Sequence, residues 1–157
     1  MDRRLYIDMD GVLVDFDGRC ESLGCRTSSG AVDWDKVKEI GPDFWASMDW
    51  LPGAPEMFSE LEGFCRANDI KFGILTAISI PAGVKGKSLW VHWNTDLDME
   101  HLIIVPHGSD KYRFAAPGRV LLDDKHTNVG LFTDAGGLGI VFSNPAQAIA
   151  DIKNAFV

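Results

Sequence analysis

No stretch of the sequence stays apolar for the roughly 20 residues that a membrane-spanning helix requires, so neither a span nor a membrane partner is expected. The N-terminus reads Met1-Asp2-Arg3-Arg4 and lacks the apolar core of a signal peptide, which leads to the expectation of an intracellular, cytoplasmic protein. Positive charge is scarce: 15 lysines and arginines face 23 aspartates and glutamates, for a net charge of −8. A general nucleic-acid surface is basic, so a nucleic-acid polymer is not an expected partner. An acidic chain can still bind a small phosphate where a metal ion and a few lysines invert the local field. Cysteine is also sparse. Cys20, Cys25 and Cys65 form no CxxC pair and leave an odd count, so reduced, buried thiols are expected rather than disulfides or a zinc site. The four histidines (His92, His101, His107, His126) have no ligand spacing, and no repeat or low-complexity linker divides the chain. What remains is an ordinary globular composition, 46% hydrophobic and 24% charged over 157 residues, enough for one domain with a real core.

Short apolar runs alternate with helical spacing along the chain. Strands are predicted at Arg3–Ile7, Ile70–Leu75, Leu102–Val105, Arg119–Leu122 and Gly139–Phe142. Helices are predicted at Phe16–Gly24, Asp33–Ile40, Pro42–Met48, Pro55–Asn68, Val84–Thr95, Thr127–Ala135 and Ala146–Phe156. In the fourth of these, Met57, Leu61, Phe64 and Cys65 share one face. This alternation predicts an α/β fold, a three-layer Rossmann-like parallel sheet covered on both sides. All strands then end on one edge, where such sheets bind ligands.

Polar clusters stand at those strand ends: Asp8 and Asp10, then Thr76, then Asp110-Lys111 after a turn, then Asp123-Asp124. Asp8 and Asp10 are two residues apart and face the same way on extended backbone, and Gly11 permits a sharp turn after them. Two close carboxylates need a cation or a proton to coexist, and Mg²⁺ suits such hard oxygen ligands. One ionised carboxylate can attack phosphorus, while the other protonates the leaving oxygen and later deprotonates water. Thr76 could hold a phosphate oxygen, Lys111 could neutralise another, and Asp123 or Asp124 would complete the metal site. A calcium loop counted from Asp8 fails, because Val12, Leu13 and Arg19 fall where ligand, glycine and glutamate are required.

These residues resemble the haloacid dehalogenase superfamily of phosphohydrolases. Asp8–Leu13 (DMDGVL) is similar to its first motif, Ile74-Leu75-Thr76 to its second, and Leu121–Asp124 (LLDD) to its fourth. Within that superfamily the chain is most similar to the 5′(3′)-deoxyribonucleotidases, through DMDGVLVDF, LPGA, GKSLWV, the Asp110-Lys111 pair and LLDDK. The resemblance implies Asp8 as nucleophile, Asp10 as general acid and base, Thr76 as phosphate ligand and Lys111 as the third-motif lysine, with Lys87 the second candidate for that role. It implies Mg²⁺ held by Asp8, the Asp10 backbone carbonyl and Asp124, with Asp123 orienting the site from behind. It also implies a single domain, residues 1–157, with a small helical cap inserted over 17–50.

The cap segment carries Phe16, Trp34, Phe44, Trp45 and Trp50, and aromatics suit base stacking. Phe16, Phe44, Trp45, Ala77 and Lys87 are the expected substrate-binding residues. The chain departs from the deoxyribonucleotidases at Ala77, where they usually carry Ser, at Ser109, where they usually carry Arg, and in its shorter cap. The leading expectation is a Mg²⁺-dependent phosphomonoesterase that acts on nucleoside (deoxy)monophosphates through an aspartyl-phosphate. A phosphatase for a sugar phosphate or other small metabolite, and a silent phosphate-binding module, are the alternatives. The expected partner is a small phosphate ester, and the expected assembly is a homodimer.

Overall fold

In the computed structural model, which describes all 157 residues, five short strands form one sheet in the order β3-β2-β1-β4-β5. They are β1 (Arg4–Ile7), β2 (Lys71–Ala77), β3 (Leu102–Val105), β4 (Arg119–Asp123) and β5 (Leu138–Val141). Every neighbouring pair is parallel, so all C-terminal ends share one edge. β1 is central: Ile7 pairs with Ile74 of β2 on one side and Leu122 of β4 on the other. Its four residues are apolar except for Arg4, as a strand enclosed on both faces and both edges requires.

Successive residues feed opposite layers. Leu5, Ile7, Phe72, Ile74, Val120 and Leu122 enter the larger core. That core includes residues of α4 (Ala54–Ala67), α5 (Ala82–Asn94) and α7 (Pro145–Ala155). Tyr6, Leu75, Leu121 and Val105 enter the smaller one with Phe132 of α6 (His126–Asp134). Period-2 alternation thus becomes helices on both faces, the expected α/β three-layer sandwich. Met57, Leu61 and Cys65 form the buried stripe of α4, as their spacing predicted. No helix is long and apolar enough to cross a membrane.

Between β1 and α4 lie three short helices, α1 (Phe16–Ser22), α2 (Trp34–Ile40) and α3 (Asp43–Ala46). Backbone bonds close the base of this insertion: Leu51 N–H donates to Leu13 O at 2.8 Å and Asp15 N–H to Asp49 O at 3.0 Å. Asp15 and Asp33 cap α1 and α2 through their carboxylates. The insertion does not float over the sheet. Cys20, Val37, Phe44 and Trp45 belong to the larger core. The fit against α5 depends on glycine: a Cβ on Gly86 would collide with the Pro42 carbonyl, and one on Gly83 would lie 3.4 Å from the Trp45 ring.

The structure moves most element boundaries by a residue or two. β2 extends through Thr76 to Ala77, because its ladder with β3 continues to Ala77↔Val105. α5 starts at Ala82 rather than Val84. Gly108–Phe114, given no element from the sequence, forms a 3₁₀ stretch that carries Lys111. It is too short to show a periodic apolar pattern.

Candidate active site

The site is built at the shared C-terminal edge. Asp8 leaves β1 and stays beside β4 through its N–H, which donates to Leu122 O at 3.0 Å. The chain then wraps tightly, with the N–H groups of Val12, Leu13 and Val14 all converging on Met9 O. Gly11 has φ +80°, and a Cβ there would collide with the Asp124 carboxylate. Glycine therefore serves two purposes at this position: it takes the left-handed turn and lets Asp124 come close.

Lys111 is 2% exposed, and its Nζ donates to Asp8 Oδ1 at 2.8 Å and Asp123 Oδ2 at 2.7 Å. Asp8 Oδ1 also accepts the Met9 N–H at 2.9 Å. Asp123, fully buried at the end of β4, accepts the Lys125 N–H on Oδ1 at 2.9 Å and Asn128 Nδ2 on Oδ2 at 3.1 Å. Ligand oxygens of Asp8, Asp123 and Asp124 lie within 4.8 Å of one another. Asp124 Oδ1 is buried with no hydrogen-bond partner. An all-carboxylate cluster with an orphaned oxygen fits a hard divalent cation such as Mg²⁺.

The electrostatics agree with that fit. Burial pushes the Asp8 carboxyl up to about 7, against the pull of Lys111 and with the push of Asp123 and Asp10. Burial and the neighbouring Asp123 likewise raise Asp124. Asp123 goes the other way: burial opposes its charge, but Lys111 and the bonds from Lys125 and Asn128 outweigh it and hold the carboxyl below the usual range. Burial disfavours the Lys111 ammonium too, yet Asp8 and Asp123 more than offset this and raise it above the ordinary lysine value.

Two cavities open here. The first, about 380 Å³, is walled by Asp8, Asp10, Ala77, Ser79, Lys111 and Lys125, with His107 and Asn128 at its side. The second, about 580 Å³, reaches into the insertion, where it is lined by Phe16 and Trp34, which pack on each other with ring centroids 6.2 Å apart. Asp10, Ser79 and Lys125 wall both cavities.

Asp8, Asp10, Ala77, Lys111, Asp123 and Asp124, all singled out from the sequence, are brought together. Other expectations are corrected. Thr76 is fully buried off both cavity walls, and its hydroxyl accepts a hydrogen bond from Lys87 Nζ at 2.7 Å. Lys87 is no cavity residue either: its Nζ also donates to Asp10 Oδ2 at 3.0 Å and Ala77 O at 2.6 Å. Phe44 and Trp45, expected at the substrate, are 0% and 2% exposed and stack edge-on at 5.1 Å within the core, because α3 docks its apolar side on α5. Trp50 packs on Trp90 at 4.6 Å. Ser79, Lys125, Asn128 and His107 were missed as wall residues. All four lie within five residues of a recognised strand-end cluster, and that proximity was the available signal.

No protein-family model matches the chain, and no curated protein matches it. Solved structures do. A HAD-superfamily hydrolase from Ehrlichia chaffeensis superposes with TM-score 0.57 over 100% of both chains at 13% identity. A hydrolase from Streptococcus pneumoniae TIGR4 follows with TM-score 0.53 at 10% identity, over 98% of this chain and 100% of the other. A hydrolase from Pseudomonas syringae gives 0.50 at 14% identity, over 97% and 98%. The chain therefore has the Rossmann-type fold of haloacid-dehalogenase-superfamily hydrolases, and at these identities the likeness speaks for the fold alone.

Proposed function

We propose that the protein is a Mg²⁺-dependent phosphomonoesterase that works through an aspartyl-phosphate on Asp8. The observation that carries this reading is the buried Asp8–Lys111–Asp123 chain, whose Asp8 and Lys111 line, with Asp10, a cavity of about 380 Å³. Asp8 Oδ1 is engaged by Lys111 and the Met9 N–H, so Oδ2 is the attacking atom. As the Asp8 Oδ2–phosphorus bond forms, the bond from phosphorus to the leaving oxygen breaks, and protonated Asp10 gives that oxygen its proton. Water then attacks phosphorus, Asp10 takes a proton from it, and Asp8 departs as carboxylate while inorganic phosphate is released. Lys111 holds the nucleophile and, with Lys125, brings positive charge to the phosphate cavity. Asp8, Asp124 and the Asp10 backbone carbonyl would hold Mg²⁺, with Asp123 orienting the site through Lys111, Lys125 and Asn128. When bound, the ion supplies neutralisation of the charge shared by phosphate and carboxylates.

The leaving group would occupy the second cavity. Its Phe16 and Trp34 walls support a nucleoside monophosphate, deoxynucleotides included, since a base can lie against an aromatic face. The burial of Phe44 and Trp45 in the core, with Trp50 packed against it on Trp90, favours a second reading, a smaller sugar phosphate. Phosphate release by purified protein with Mg²⁺, over paired deoxynucleotide and sugar-phosphate substrates, separates the two. Asp8→Asn is expected to abolish release, and retained turnover would remove Asp8 as nucleophile.

A further inference from the structure

Lys87 is a cation placed where a cation is costly. It sits on α5 with 1% side-chain exposure, and its three donors are all spent, on Asp10 Oδ2, Thr76 Oγ1 and Ala77 O. No donor remains for a phosphate oxygen. Its place is set by packing, since Gly83 and Gly86 let α5, which carries it, press against α3. Asp10 is held asymmetrically in consequence. Oδ2 is clamped by Lys87, whereas Oδ1 is buried without a partner. Asp10 also walls both the phosphate cavity and the cavity beneath Phe16 and Trp34. The bond between phosphorus and a leaving oxygen would cross at this junction.

We infer that Lys87 is a positioning residue: by holding Oδ2 it fixes the orientation of the Asp10 carboxyl, which exchanges the proton with the leaving oxygen at this junction. The inference rests on the reading above, in which Asp10 is the acid. The terminal torsion of an aspartate is soft, so an unclamped carboxyl samples a broad range of angles. Misplacing a reacting group by about 1 Å costs on the order of 100-fold in rate. Lys87 removes that freedom without touching substrate.

Leaving-group dependence tests this. The kcat/KM of wild type, Asp10→Asn and Lys87→Met is measured on p-nitrophenyl phosphate, whose phenolate departs without a proton, and on an alkyl phosphate monoester, whose alkoxide needs one. Lys87→Met is expected to lose about 100-fold on the alkyl ester and less than about 10-fold on the aryl ester, in parallel with Asp10→Asn. Equal losses on both substrates would overturn the inference, because a merely structural lysine lowers both alike. If Lys87→Met does not fold, the same ratio on Lys87→Gln, which keeps a donor toward Asp10, decides: a selective but smaller alkyl loss supports the role, and a uniform loss refutes it. Wild type inert toward both esters would strike the phosphatase reading itself. An active wild type with a selective Asp10→Asn and an unselective Lys87 variant would strike only Lys87.

Discussion

Replacing Asp8 with Asn should remove activity and yet stabilise the fold, and the size of the gain follows from the burial of this carboxyl. Asp8 titrates near 3.8 in an unfolded chain and is pushed up to about 7 in the folded one, chiefly by desolvation. A carboxyl whose folded value is raised favours folding only while it is protonated. Its contribution is intact below the unfolded value and is lost as pH rises through about 7. At 1.36 kcal/mol per pH unit, the ionised carboxylate costs the folded state about 4 kcal/mol near pH 8 and about 2 kcal/mol near pH 5. Asn is uncharged at both values, and its carbonyl can still accept from Lys111 and from the Met9 N–H. In metal-free buffer with chelator, Asp8→Asn should therefore exceed wild type by about 4 kcal/mol near pH 8, some 8–16 °C in Tm for a chain of this size, and the gap should shrink by about half near pH 5. Urea unfolding at the two pH values measures it. A variant no more stable than wild type near pH 8, or a gap that does not change with pH, would refute the claim that Asp8 is a desolvated, charge-crowded carboxyl.

Asp124→Asn should weaken Mg²⁺ binding at least 10-fold by calorimetry and leave the fold intact, because Asp124 carries the orphaned oxygen of the cluster. Trp45→Ala should cost about 3–5 kcal/mol in urea unfolding, whereas Trp34→Ala should cost less than that and instead raise KM for a nucleotide substrate, since Trp34 lines the second cavity. Gly86→Ala should destabilise by about 1–3 kcal/mol, as its Cβ would meet the Pro42 backbone, and a neutral thermal melt would contradict the tight docking of α5 on α3.

The strands, the order of the acids and the lysine at Lys111 were legible because each is a local property. Alternation reports which residues face a core, and a carboxylate at the end of an apolar run reports a strand end. The aromatics of the insertion were not legible in the same way. Phe16 and Trp34 line a cavity while Phe44 and Trp45 are buried, although all four look alike in sequence. What separates them is the side of α3 that meets α5, a contact between segments about 40 residues apart. Thr76 is similar. Its place at a strand end was evident, but its hydroxyl meets Lys87, a partner that arrives from the following helix.

The sequence by itself determined the layered α/β fold and the presence of Asp8, Asp10, Asp123 and Asp124 at one edge, because hydrophobic period and strand-end chemistry are written into neighbouring residues. Only the tertiary structure decided what the two lysines do. Lys111 and Lys87 are both basic residues beyond a strand. The sheet order sets β1 between β2 and β4, with β3 outside β2. The stretch after β3 then delivers Lys111 to Asp8 and Asp123, while α5 delivers Lys87 to Asp10. Distance across a sheet is a property of strand order, which spacing along the chain does not contain.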